Sequence, residues 1–218
     1  MNVSSNLKEI RAEIGSKIQL IAVSKKQTLS SIIALYDEGQ RDFGENYIQE
    51  LTEKYQKLPR DIRWHMIGKI QSNKLKYIAP FIYMVHSIEK LSHLQTLEKE
   101  AAKHARIIRC LLQVKIARES SKSGMTTKQV RDLIDAFEYC SMPHIQLSGL
   151  MGIASFTEDQ QKVCEEFNRL KKNFKELNKN DPNFKVLSMG MSSDYLLAIA
   201  SGSTMVRIGS KLFGERTQ

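Results

Sequence analysis

The 218-residue sequence contains no apolar run approaching the length needed to span a bilayer. Met1 to Leu20 carries charges throughout and has no apolar core of the kind a secretion signal requires. Together these absences make the cytoplasm the expected compartment. Cysteine is scarce: Cys110, Cys140 and Cys164 are scattered, odd in number, and spaced neither as a disulfide framework nor as a metal-ligand set. Free thiols, buried or half-buried, are expected. No glycine-rich dinucleotide fingerprint follows the first strand-like segment, which removes the usual support for an open Rossmann sheet. Linkers and low-complexity segments are also absent, so residues 1–218 read as one domain.

What is present is ordinary for a globular chain, with 41% hydrophobic and 26% charged residues. The formal net charge is +9, which raises nucleic acid as a partner. The lysines are nevertheless spread along the chain. The densest clusters, Lys69 to Lys76 and Arg169 to Lys179, keep apolar residues at helical spacing. A solvated helix face accounts for the second cluster, and nucleic-acid binding is not expected.

Strand-like and helix-like segments alternate from end to end. Ile18 to Val23 is a nearly continuous apolar run, as expected of a strand buried on both faces. Leu29, Ile32, Ile33 and Tyr36 then form one helical stripe, with Thr28 and Ser30 as N-cap candidates and Gly39 placed to end it. Further strands are predicted at Arg41 to Gly44, Ile62 to Ile67, Phe81 to His86, Ile107 to Ile116, Ile145 to Ile153, Phe184 to Leu187 and Met205 to Ile208. Between them fall helical patterns. The clearest is Val163, Phe167, Leu170, Phe174 and Leu177, with Pro182 beyond its end. Strands alternating with helices argue for a parallel sheet with helices outside. Eight such units, the last truncated, favour a closed (β/α)8 barrel, trimmed from the usual length of about 250 residues.

In such a barrel the chemistry sits at the carboxyl ends of the strands. Lys25, Asn46, His65, Gly68, Ser87, Lys115, Ser188, Gly190, Arg207 and Gly209 all fall near those ends and should converge on one pocket. Some have plainer readings, since Asn46 also suits a helix cap and His65 a satisfied core histidine. Arg207, inside the apolar strand VRIG, needs a partner for a charge that cannot be titrated away: an acid or a ligand. Small residues and hydroxyls cluster in LSMGMSSD (Leu187 to Asp194) and SGSTMVRIGSKLFG (Ser201 to Gly214). Small residues let backbone N–H groups approach a ligand, and barrels commonly place phosphate at this corner. The spacing suggests a phosphorylated ligand near Ser188, Ser192, Gly209 and Ser210, with Lys25 across the pocket; two glycine-rich connections with ordinary caps are the alternative.

At these residues the sequence resembles the pyridoxal phosphate homeostasis protein family, also called YggS/PROSC, itself similar to the barrel domain of alanine racemase. The stretches that carry the resemblance are IAVSKKQ (Ile21 to Gln27), FGENYIQE (Phe43 to Glu50), WHMIGKIQSNK (Trp64 to Lys74), HSIEKL (His86 to Leu91), SKSG (Ser121 to Gly124), GLMGI (Gly149 to Ile153), LSMGMSSD and AIASGSTMVRIGSKLFGER. The resemblance implies an alanine racemase N-terminal-like barrel that binds pyridoxal 5′-phosphate. It implies an imine between the cofactor and Lys25, Arg207 facing the pyridine nitrogen, and the phosphate held around Ser192, Gly209 and Ser210. Asn46 and His65 match pocket-lining positions. Two departures stand out. The segment before the first strand is short, which puts the first helix in doubt, and Tyr195-Leu196 replaces the Met-Glu pair of many members.

An arginine at the pyridine nitrogen disfavours its protonation and makes the cofactor a weaker electron sink. That suits a racemase with strong acid–base groups or a carrier that does no chemistry. In alanine racemase-like enzymes a tyrosine from a second domain of the partner subunit completes the site. Here the sequence stops at Gln218, directly after the barrel. The expectation is therefore a barrel without the second β domain, acting as a monomeric store and carrier of the cofactor. Enzymes awaiting that cofactor are the expected recipients, and weak racemase activity is the alternative.

Overall fold

The computed structural model describes residues 3–117, 119, 123–178 and 181–214. Of the stretches quoted above, Ser121 and Lys122 of SKSG and the final Glu215-Arg216 lie outside the described residues.

The chain opens with α1 (Val3–Ile14) and then alternates: β1 (Gln19–Val23), α2 (Leu29–Asp37), β2 (Asp42–Glu45), α3 (Ile48–Lys57), β3 (Arg63–Met66). A 3-10 helix (Ser72–Tyr77) leads to β4 (Met84–Ile88), α4 (Leu91–Ala102), β5 (Ile108–Val114) and α5 (Thr127–Tyr139). Then come β6 (Ile145–Gly152), α6 (Gln160–Leu177), β7 (Val186–Ser188), α7 (Tyr195–Ala200), β8 (Met205–Ile208) and α8 (Ser210–Phe213). The strands form one closed barrel in chain order. β1 and β8 close it in parallel, with Ile21 opposite Arg207. This is the eight-stranded barrel the alternation predicts.

Local chemistry explains the elements. The α6 stripe buries Val163, Phe167, Leu170 and Leu177, and Asp159 caps its start by accepting from the Lys162 N–H. Thr126 and Gln129 form a reciprocal capping box at α5. Most of the core lies between strands and helices, where side chains such as Phe43, Trp64 and Phe167 are fully buried. Each large side chain contributes roughly 1.5–3 kcal/mol by leaving water. A smaller apolar cluster of Ile21, Met84, Leu111, Met151 and Met205 stands apart from that layer.

Several expectations are corrected. The first helix is present: α1 buries Leu7, Ile10 and Ile14, and Asn6 Nδ2 donates to the Leu212 carbonyl at 3.0 Å, docking α1 on α8. Strand four begins at Met84 rather than Phe81, because Phe81 and Ile82 close backbone turns onto the Ile78 carbonyl. Strand seven starts at Val186 rather than Phe184, whose N–H is turned back to the Asp181 carbonyl. The three cysteines are free, Cys110 buried and the others half-buried, as expected. Among the described residues no helix is long and apolar enough to cross a membrane, and no cluster of potential metal ligands occurs.

Candidate functional site

The carboxyl ends of the strands surround a pocket of about 350 Å³. Lys25, Asn46, Ser192, Arg207, Gly209 and Ser210 line it, together with Val23, Ile67, Ile153, Phe156, Met191 and Ser193. Its charged lining residues, Lys25 and Arg207, are both cationic. Lys25, Asn46, Ser192, Arg207, Gly209 and Ser210, all singled out from sequence, thus meet in one place.

Lys25 follows β1 in a tight turn. The Ser24 N–H continues the sheet to the Gly44 carbonyl at 3.0 Å, and the Gln27 N–H returns to the Ser24 carbonyl at 3.0 Å. Asn46 follows β2, where Gly68 packs against it: a Cβ on Gly68 would lie 2.2 Å from the Asn46 carbonyl oxygen. Ser87 braces that contact by donating to the Gly68 carbonyl at 2.5 Å. At the other side Ser192 Oγ accepts from the Gly209 N–H at 3.1 Å and the Lys211 N–H at 3.4 Å.

Arg207 is 4% exposed. Its Nη1 donates to Ser188 Oγ at 2.6 Å and its Nη2 to the Gly152 carbonyl at 3.0 Å. Burial lowers the guanidinium to about 10, against the attraction of Asp194, so it stays charged near neutral pH.

His65 and Ser188 do not line the pocket; they lie in a polar seam that runs through the barrel to Arg207. Ser188 Oγ meets His86 Nδ1 at 3.4 Å, His86 Nε2 meets His65 Nδ1 at 2.9 Å, and His65 Nε2 meets Asp42 Oδ1 at 3.1 Å. Arg63 closes the far end with two bonds to Asp42, at 2.7 and 2.6 Å. Burial alone would raise the Asp42 carboxyl, yet the bonds from Arg63 and His65 hold it well below the usual carboxylate range. An ionised carboxylate only accepts, so it fixes the proton order of the seam. His65 donates from Nε2 to Asp42, His86 donates from Nε2 to His65, and Ser188 donates to His86. Ser188 thereby keeps its oxygen for Arg207. Burial depresses both imidazoles, His86 the more, and both are neutral.

Asp42 and His86 were not singled out from sequence. Their signal is faint, a polar residue at an inward position of a short strand, and it emerges only once register places them beside His65. Ser87 and Lys115, also near strand ends, do not line the pocket.

The chain matches the family model "Alanine racemase, N-terminal domain" over residues 1–217. The pyridoxal phosphate homeostasis protein of Vibrio alginolyticus is 38% identical over 204 residues, covering 91% of this chain and 87% of that one. Its counterpart in Schizosaccharomyces pombe is 37% identical over 224 residues, covering 98% and 93%. The chain belongs to the pyridoxal phosphate homeostasis protein family. Among solved structures, PipY, the COG0325 family member of Synechococcus elongatus PCC7942, with PLP bound, superposes with a TM-score of 0.87 at 32% identity, covering 97% of this chain and 100% of that one. Alanine racemase of Clostridium difficile 630 shares the fold, with a TM-score of 0.84 at 14% identity. The barrel covers all of this chain but 57% of that racemase.

Proposed function

We propose that this protein holds pyridoxal 5′-phosphate as a Schiff base on Lys25 and serves intracellular homeostasis of that cofactor, storing and delivering it. The observation that carries the reading is the convergence of Lys25, Arg207 and the Ser192–Gly209–Ser210 corner on one cationic pocket. The residues fit the group. The volume of about 350 Å³ lies in the range of small-ligand sites, roughly 300–1,000 Å³. The two cationic side chains suit an anion, and Gly209 and Ser210 line the pocket beside the Ser192 hydroxyl, which the Gly209 N–H already meets.

When bound, the cofactor supplies an aldehyde that condenses with an amine and releases one water. Lys25 provides that amine. Ser192, Gly209 and Ser210 take the phosphate through hydroxyl and backbone N–H donors. Arg207, which lines the pocket, would sit at the ring nitrogen, and its charge would disfavour a proton there. Asn46 lines the same pocket. His65 and Ser188, placed by sequence reading among the direct contacts, act through Arg207 by holding its guanidinium in position.

The protein works as a cytoplasmic monomer in this reading, one domain over residues 1–218, and enzymes awaiting the cofactor receive it by amine exchange. Incubation with pyridoxal phosphate should give an imine absorbance band in the wild type and none in Lys25→Ala. A wild-type protein that stays colourless contradicts the proposal.

A further inference from the structure

Behind the turn that carries Lys25 lies a buried ionic cluster. Lys54, in the last turn of α3, is 5% exposed. Its Nζ donates to the Ser24 carbonyl at 2.6 Å, to Glu45 Oε1 at 2.8 Å and to Glu50 Oε1 at 2.7 Å. Three ammonium protons thus meet three acceptors. The carboxylates reach past Lys54 to the chain on either side of Lys25. Ser24 Oγ donates to Glu45 Oε1 at 2.6 Å, and the Lys26 N–H donates to Glu50 Oε1 at 2.5 Å. Lys26 has φ +59, a left-handed conformation that a side-chain-bearing residue keeps only when its surroundings impose it.

These bonds end on Ser24, on Lys26 and on members of the cluster itself. An ion cluster of this kind is a poor device for stability, because apolar residues of similar size often serve a buried site as well or better. Among the described residues this one also leaves Glu45 Oε2 buried without a hydrogen-bond partner. Burial pushes the Glu45 carboxyl up to about 6 despite the attraction of Lys54, so the arrangement is under electrostatic tension. Its geometry nonetheless seizes the chain one residue before and one residue after Lys25.

We propose that Glu45, Glu50 and Lys54 are positioning residues, a buried clamp that grips Ser24 and Lys26 and thereby presents the Lys25 amine to the cofactor's aldehyde. The inference rests on Lys25 being the Schiff-base lysine. It adds that the strength of the covalent link is set from outside the pocket.

The test compares two ligands, pyridoxal phosphate and its alcohol analogue pyridoxine phosphate, which has no aldehyde to condense. Glu50→Gln is the main variant, since Glu50 is partly exposed, its side chain 24% accessible. Lys54→Met is the more severe one, used with a thermal melt that verifies folding. The clamp predicts that Glu50→Gln weakens pyridoxal phosphate roughly tenfold, about the worth of one charge-assisted hydrogen bond. Binding of the alcohol analogue should stay within about twofold, because that ligand forms no covalent bond to Lys25. Equal loss for both ligands would assign the cluster to general stability and overturn the proposal, as would no loss for either. Failure of the Lys25 reading looks different: the wild type itself would show no imine band, whatever the variants do.

Discussion

At the residue scale the protein keeps three imidazoles out of water in their neutral form. Burial depresses His65 and His86 from 6.5, and depresses His93 to about 4. A histidine that stays neutral in the fold binds fewer protons than it does in the unfolded chain. Its contribution is therefore fully present above about pH 6.5 and is lost as pH falls, for His93 over the window from 6.5 down to about 4. Glu45 works in the opposite direction. Its carboxyl, raised from 4.5 to about 6, takes up a proton first in the fold and adds stability as pH falls between those values. Burial also raises the Glu89 and Asp194 carboxyls, but the histidines, with His86 held well below 6.5 and His93 at about 4, outweigh them and predict a thermal midpoint that drops between about pH 7 and about pH 5. A midpoint that holds or rises over that interval would contradict the neutral seam. Lys25 and Arg207 were legible in the sequence because a charge after or inside an apolar strand is conspicuous. Glu45 and Lys54 were not, since Glu50 and Lys54 at i, i+4 read as an ordinary surface pair, and only burial separates a clamp from a solvated face.

At the element scale the strand–helix alternation was readable, and boundaries shifted where a turn displaced the start of a strand. The connections matter more for the site. After β3 the chain must pass close to the β2 end, and Gly68 is what lets it pass. A methyl group there would push the Asn46 backbone away. Gly68→Ala should destabilise the fold by about 1–3 kcal/mol, the usual cost of overpacking. Denaturant unfolding would measure this, and an unchanged midpoint would refute the close approach. The sequence carried this only as a glycine near a strand end, because the contact joins residues from different connections. The first helix was under-read for a related reason: besides Glu38 and Gln40, its partners include Leu212, Tyr195 and Lys211 at the other end of the chain, with Glu13 bonded to both of the last two. Tyr195, the departure noted in the GMSSD stretch, belongs to this α1–α8 lock.

Over the whole molecule, the barrel brings two kinds of support to one pocket. From within, the Asp42–His65–His86–Ser188 seam carries hydrogen bonding across the barrel to Arg207. From outside, the Glu45–Lys54–Glu50 cluster holds the turn of Lys25. Neither support was visible in the sequence: the seam is assembled from strands distant along the chain and brought together by register, and the cluster, drawn from β2 and α3, is marked only by its burial. Both converge on groups that suit an anionic aldehyde cofactor, and the central claim is that Lys25 carries it. Borohydride reduction of the protein loaded with pyridoxal phosphate, followed by peptide mass mapping, tests this most directly. The account predicts one stable modification, on Lys25. A modification confined to another lysine, or none at all, would contradict it.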